Sequence, residues 1–249
     1  MGHRTKPTLG LIGFGAFGKL MARELNALFD IRVCDPAYVG ALLEDGRALA
    51  VVELSEIARC DVIVLSVPVA RMEYLCTQIA PYLRPGCLVV DVSSVKVAPM
   101  QVMARCLPAA VDIVGTHPLF GPQSADGGVV GRKIAVCPLR GPRWRVVAGF
   151  LRRIGLQVVV TTPEAHDKEA ATVQGLTHLI AKVLSDIGPL PDQMTTASFD
   201  LLKQAVEMVK NDPPTVLHAI ETANPYAAEV RGAFFDRAAE LRIQFDKQA

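Results

Sequence analysis

The sequence predicts an α/β fold of the doubly wound type, and three observations carry that prediction. Short β-branched runs alternate with longer helical patterns from Thr8 to about Val160, these runs are continuously apolar, and the first feeds straight into a glycine-spaced turn that opens a helix. Continuous apolar strands separated by helices belong to a parallel sheet covered on both faces. In order, the runs are Leu9-Gly10-Leu11-Ile12, Ile31-Arg32-Val33-Cys34, Asp61-Val62-Ile63-Val64-Leu65, Cys87-Leu88-Val89-Val90, Val111-Asp112-Ile113-Val114, Lys133-Ile134-Ala135-Val136 and Gln157-Val158-Val159-Val160. After Val160 the pattern changes. Thr161-Thr162-Pro163-Glu164 reads as a helix start, with a threonine cap, proline in the first turn and glutamate completing a capping box. No strand-like run follows, and the Ala-rich remainder is broken at Gly188-Pro189-Leu190-Pro191 and Asp212-Pro213-Pro214, so three or four helices are expected. The expected organisation is a sheet domain over residues 1–160 and a smaller all-helical domain over 161–249. So few helices bury little apolar surface alone, and homodimerisation through them is the expectation.

Composition narrows the function. The 249 residues carry 26 Lys and Arg against 25 Asp and Glu, and 51% of them are apolar, which suits a globular core and gives no basic field for nucleic acid. No stretch approaches the roughly 18 uncharged apolar residues of a membrane span, and the opening Met1–Lys6 lacks the apolar region of a signal peptide. A cytoplasmic location is expected. Six cysteines stand singly with no C-x-x-C pair, which fits buried thiols rather than a zinc site or a disulfide framework. No metal is expected.

The glycine turn is Gly13-Phe14-Gly15-Ala16-Phe17-Gly18. In such a G-x-G-x-x-G, the first glycine permits the tight turn, the second lets a pyrophosphate approach the backbone, and the third packs helix on strand. The second strand ends in Asp35, 20 residues after Gly15, where a carboxylate can accept the hydroxyls of an adenosine ribose. That carboxylate would repel a ribose phosphate, so the reading is a Rossmann-type domain binding NAD rather than NADP. Ser66 and Pro68, at the end of the Asp61–Leu65 run, are expected to border the cofactor, because ligands of such sheets bind beyond the strand C-termini.

Two more strand ends carry polar groups: Asp91-Val92-Ser93-Ser94-Val95-Lys96 and Gly115-Thr116-His117-Pro118-Leu119-Phe120-Gly121-Pro122-Gln123-Ser124. A histidine placed just after a buried strand, before a Gly/Pro-rich loop, lies at the crevice where a nicotinamide would sit. Imidazole is suited to take the proton of a hydroxyl being oxidised.

With GLIGFGAFG, DVSSVK, GTHPLFGPQSA and EAHDKEAATVQGLTHLIAKVL in hand, the sequence resembles the prephenate/arogenate dehydrogenase family over residues 9–184. The H-P-x-x-G-P loop and the downstream Q-x-x-x-H helix carry more of that resemblance than the glycine fingerprint. It implies NAD-dependent oxidative decarboxylation of a small-molecule substrate in tyrosine biosynthesis. His117 is then the group that accepts or polarises the hydroxyl proton, and Ser94 its companion on the same hydroxyl. His178 and Gln174, one helical turn apart, would line the substrate pocket. Gln123 follows H-P-x-x-G-P at a position that tends to be acidic in arogenate-using members, so its neutral amide favours prephenate, with arogenate as the alternative. There is no arginine between Arg153 and Arg231 to clamp the substrate carboxylate; Lys203, Arg231, Lys96 and Arg132 remain open for that part. His166 and Asp167 suit capping and surface roles, and His3 and His218 have no supporting context. A related imine or pyrroline-carboxylate reductase would have no need of His117, and a dinucleotide sensor would need none of Ser94, His117 and His178.

Overall fold

The computed structural model describes residues 6–43, 45–125 and 127–248. Most of the opening segment therefore lies outside the described residues. The chain divides into two compact units, Met1–Pro163 and Glu164–Ala249.

In the first unit nine strands form one sheet: β1 (Thr8–Ile12), β2 (Asp30–Cys34), β3 (Ala41–Leu42), β4 (Ala48–Val51), β5 (Val62–Leu65), β6 (Leu88–Asp91), β7 (Asp112–Pro118), β8 (Lys133–Arg140) and β9 (Gln157–Val160), in the order β3-β4-β2-β1-β5-β6-β7-β8-β9. Helices α1 (Ala16–Leu25), α2 (Leu54–Ile57), α3 (Val69–Ile79), α4 (Val97–Cys106) and α5 (Trp144–Arg153) cover its two faces. On one face Ile57, Met72, Ile79, Met100 and Met103 of α2, α3 and α4 pack against Ile63, Val89 and Ile113. On the other, Ala22 and Leu25 of α1 and Val147 and Phe150 of α5 pack on Leu9, Leu11, Val64 and Val90. Each fully buried aliphatic side chain contributes about 1.5–3 kcal/mol, so this two-sided burial is what keeps the strands apolar throughout.

The doubly wound architecture is as expected, but the pairing is mixed. From β4 through β7 neighbouring strands run parallel, whereas β7 pairs antiparallel with β8, and β3 antiparallel with β4. The physical reason at β7 is the connection. Among the described residues of 119–132 there is no helix, so they lack the crossover that a parallel return needs and the strand comes back alongside. Antiparallel partnership also extends β7 to Pro118, pairing His117 with Ala135. His117 is thus inside the strand rather than just after it.

The second unit is helical: α6 (Pro163–Ala170), α7 (Leu176–Ile187), α8 (Ala197–Val209), α9 (Pro214–His218) and α10 (Ala227–Asp246). Helix α7 ends at Gly188, whose φ of +130° suits a residue without Cβ, and α8 starts at Thr196, whose hydroxyl accepts from the Phe199 N–H at 3.3 Å. Two segments, Ala171–Gly175 and Ala219–Ala223, are π-helical, each continuing directly from the helix before it. Single π-turns of this kind occur often at functional positions. Among the described residues, no helix is long and apolar enough to cross a membrane.

Candidate active site

The glycine turn is built as the fingerprint requires, and each glycine has its own physical reason. Gly13 has φ +96°, and a Cβ there would lie 2.1 Å from the Ser66 carbonyl oxygen; a Cβ on Gly18 would lie 2.4 Å from the Gly13 carbonyl oxygen. These two are packing requirements. Gly15 is different, because a Cβ there would meet no heavy atom within 4 Å. The space beside it adjoins the N-terminus of α1, whose first turn has no side-chain cap and no acidic residue. Free backbone N–H groups and open space together fit the pyrophosphate of a dinucleotide.

Asp35 lies at the end of β2 and takes part in this turn directly. Its Oδ2 accepts from the Phe14 N–H at 2.7 Å and its Oδ1 from the Ala37 N–H at 2.9 Å. A carboxylate has roughly four acceptor positions, so two remain for ribose hydroxyls. Ser66 follows β5, its N–H bonded to the Ile12 carbonyl at 2.8 Å, and Pro68 is the N-cap of α3. Both therefore flank the glycine turn at the C-terminal edge of the sheet.

The next two strands along that edge carry Ser94 and His117. β6 and β7 pair with Asp91 opposite Gly115, so Ser94 stands three residues beyond the pairing on one strand and His117 two beyond it on the other. His117 is 3% exposed. Gln123 is exposed on the loop after β7, where the Ser124 hydroxyl accepts from the Gly121 N–H at 3.0 Å and Arg23 of α1 donates to the Ala125 carbonyl at 3.0 Å. The loop is thereby tied to the helix that opens at the glycine turn.

In the second unit, His178 of α7 is 8% exposed. Its Nδ1 donates to the Gln174 carbonyl at 3.0 Å and its Nε2 faces Asp212 Oδ2 at 3.2 Å. Two acceptors call for two N–H donors, which only the protonated ring supplies. Burial opposes that charge, but the Asp212 and Gln174 hydrogen bonds and the nearby Glu221 carboxylate outweigh it and raise the pKa. Stability from a raised histidine pKa is fully present below its ordinary value of about 6.5 and is lost as pH rises through the folded value. Asp212→Asn is therefore expected to cost about 1 kcal/mol near pH 6 and little near pH 9, read as the change in Tm at the two pH values. Gln174 lies in the π-helical segment Ala171–Gly175, and its carbonyl meets the His178 ring four residues on.

Several expectations need correction. Lys96 cannot reach a substrate, because it is 0% exposed and ion-paired with Asp91, also 0% exposed. Arg231, Lys203 and Arg132 stay open for the substrate carboxylate, each with a local partner: Arg231 pairs with Glu221 at 2.6 Å, Lys203 with Asp192, and Arg132 donates to the Gly128 carbonyl at 3.1 Å. His166 and Asp167 are buried rather than superficial: His166 Nδ1 lies 2.7 Å from Asp167 Oδ1, and the Asn224 amide donates to the Asp167 carbonyl at 2.8 Å. The cysteines are free, and burial pushes Cys76 up to about 12 and Cys87 to about 11, so these two thiols stay protonated and inert. No group of metal-ligating side chains occurs among the described residues.

Comparisons with known proteins point to one family and one fold. Residues 43–160 match the model of the prephenate dehydrogenase nucleotide-binding domain. A probable arogenate/prephenate dehydrogenase of Methanocaldococcus jannaschii is 27% identical over 192 residues, covering 73% of this chain and 43% of the relative. Arogenate dehydrogenase 1 of Arabidopsis thaliana is 27% identical over 256 residues, covering 98% of this chain and 39% of the relative. The chain thus spans about two fifths of the length of these relatives. The fold is that of the Aquifex aeolicus prephenate dehydrogenase solved with hydroxyphenyl propionate and NAD+, with a TM-score of 0.75 at 20% identity over 99% of this chain and 93% of that one.

Proposed function

The chain belongs to the prephenate/arogenate dehydrogenase family, and from that premise we propose that it oxidatively decarboxylates prephenate to 4-hydroxyphenylpyruvate with NAD. The observation that carries the reading is the sheet edge itself, where a glycine turn, Ser94 and His117 follow one another on β1, β6 and β7. Bound NAD would supply the hydride acceptor. His117 takes the hydroxyl proton as the carbinol carbon loses its hydride, while Ser94 hydrogen-bonds the same oxygen and fixes its orientation. The carbon–carboxylate bond then breaks, its electron pair enters the ring, carbon dioxide leaves, and the proton held on His117 returns to the phenolate oxygen. Aromatisation drives the sequence, so the protein's task is orientation and proton handling. A substrate carboxylate exchanging for that of Asp212 would leave both N–H groups of His178 satisfied, which keeps His178 and Gln174 within the proposal as substrate-binding residues. Growth of NADH absorbance on mixing the protein with prephenate and NAD tests the activity.

NAD is favoured because the Asp35 carboxylate would repel a ribose phosphate. Asp35→Asn keeps the shape of the side chain and removes the charge, and is expected to shrink the NAD over NADP preference about tenfold, measured as the ratio of kcat/KM values. Prephenate is favoured because Gln123 is neutral, whereas the ammonium of arogenate gains from a carboxylate. Gln123→Glu is expected to move the preference toward arogenate by about 1.5–3 kcal/mol in the ratio of catalytic efficiencies. The exposed Leu201 and Met208 of α8 and Phe235, Ile243 and Phe245 of α10 support a homodimer formed through the helical unit.

A further inference from the structure

The ion pair that removes Lys96 from the substrate sits beneath the reacting residues. Lys96 Nζ, at the start of α4, is paired with Asp91 Oδ2 and donates to the Thr116 carbonyl at 2.6 Å. Thr116 is the residue before His117. Its hydroxyl donates to the Asp91 carbonyl at 2.8 Å, so β6 and β7 are joined twice at this level. On the other side, Asp91 Oδ1 accepts from the Ser93 N–H at 2.9 Å and the Ser93 hydroxyl donates to the Val95 carbonyl at 3.0 Å, which shapes the turn around Ser94. Gly115 makes room for the lysine stem: a Cβ there would lie 3.2 Å from Lys96 Cδ and 2.5 Å from Met100 Sδ. The chain thus buries an ammonium at the point where the Ser94 turn and the His117 strand end are fastened together.

We propose that Lys96 is a positioning residue for the reaction, holding the Ser94 turn and His117 at a fixed separation through its bonds to Asp91 and the Thr116 carbonyl. The proposal rests on the assignment of Ser94 and His117 to the substrate hydroxyl. A buried pair is weak evidence for stability, since apolar groups of similar volume often replace it without loss, whereas breaking one partner leaves an uncompensated charge. Positioning is another matter, because displacement of a reacting group by about 1 Å costs on the order of a hundredfold in rate.

The test separates the two roles. Lys96→Met alone is expected to destabilise the protein by stranding Asp91. The double variant Asp91→Leu/Lys96→Met replaces the pair with apolar side chains and is expected to recover the wild-type Tm while kcat stays about 10–100-fold low, with the NAD dissociation constant unchanged. Amide hydrogen exchange at residues 93–96 and 115–117 is expected to quicken at least about tenfold in the double variant, while exchange in α1 stays the same. Lys96→Gln, which keeps N–H donors in place, provides the same comparison if the double variant fails to fold, with a smaller loss of kcat expected. Wild-type kcat and wild-type protection in a folded variant lacking the ammonium would overturn the proposal. Absence of turnover by the wild-type protein with prephenate or arogenate would instead defeat the functional reading. The exchange comparison needs no substrate and would still decide whether Lys96 fastens the two segments.

Discussion

His117→Ala is expected to lower kcat by about 10²–10⁴, the range for removal of a general acid or base, with cofactor affinity intact. The backbone around His117 is held by the β7–β8 ladder, in which His117 pairs with Ala135 and Pro118 with Ile134, so truncating the side chain leaves its strand in place. The glycine turn belongs to β1 and rests on Ser66 and Asp35, neither of which depends on the imidazole. The loss should therefore fall on kcat and on kcat/KM for the substrate alike, the pattern of an interaction made in the transition state. Fluorescence titration with NADH checks the binding and steady-state absorbance checks the turnover. Full turnover by a variant that still binds cofactor would remove His117 from the reaction.

The largest effect on stability is expected at Gly13. Gly13→Ala places a Cβ 2.1 Å from a backbone oxygen at a residue whose φ is +96°, so steric conflict and backbone strain add. A loss of about 3 kcal/mol or more is expected, seen as a fall in Tm. Gly15→Val is the informative partner. Its Cβ meets no protein atom within 4 Å, so Tm should stay unchanged while the NAD dissociation constant rises by about tenfold or more, the added side chain occupying the space the pyrophosphate needs. A fall in Tm for Gly15→Val with normal NAD binding would reverse the assignment of the two glycines.

What the sequence made legible follows from where its signals are local. The glycine turn, Asp35 after the second strand, the helix break at Gly188 and the restart at Pro214 each depend on a few adjacent residues, and each stands where the pattern puts it. Strand direction does not have a local signal. The run Lys133–Val136 is as apolar as its neighbours, and what accompanies its antiparallel return along β7 is a connection with no helix among its described residues. Strand β3 has two residues, and the Ala48-Leu49-Ala50-Val51 of β4, though apolar, lacks the β-branched density that marks the other runs. Side-chain partners far apart in the chain were equally hidden. Asp212 stands 34 residues from His178, and Thr116 stands 20 from Lys96, which on its own looks like a solvated surface lysine. The Asp91–Lys96 spacing was nevertheless on view, with an acid at a strand end and a lysine at the next helix start. The π-turns left no trace in the pattern, because one extra residue per turn barely alters an Ala-rich helix.

The central claim is most directly tested by following NAD reduction at increasing prephenate concentration, with arogenate and NADP offered separately. Turnover of prephenate with NAD, in preference to arogenate and to NADP, is the predicted result. Cofactor binding without turnover of either substrate would contradict the proposed function, while turnover with a preference for arogenate would retain the reaction and remove the argument from Gln123.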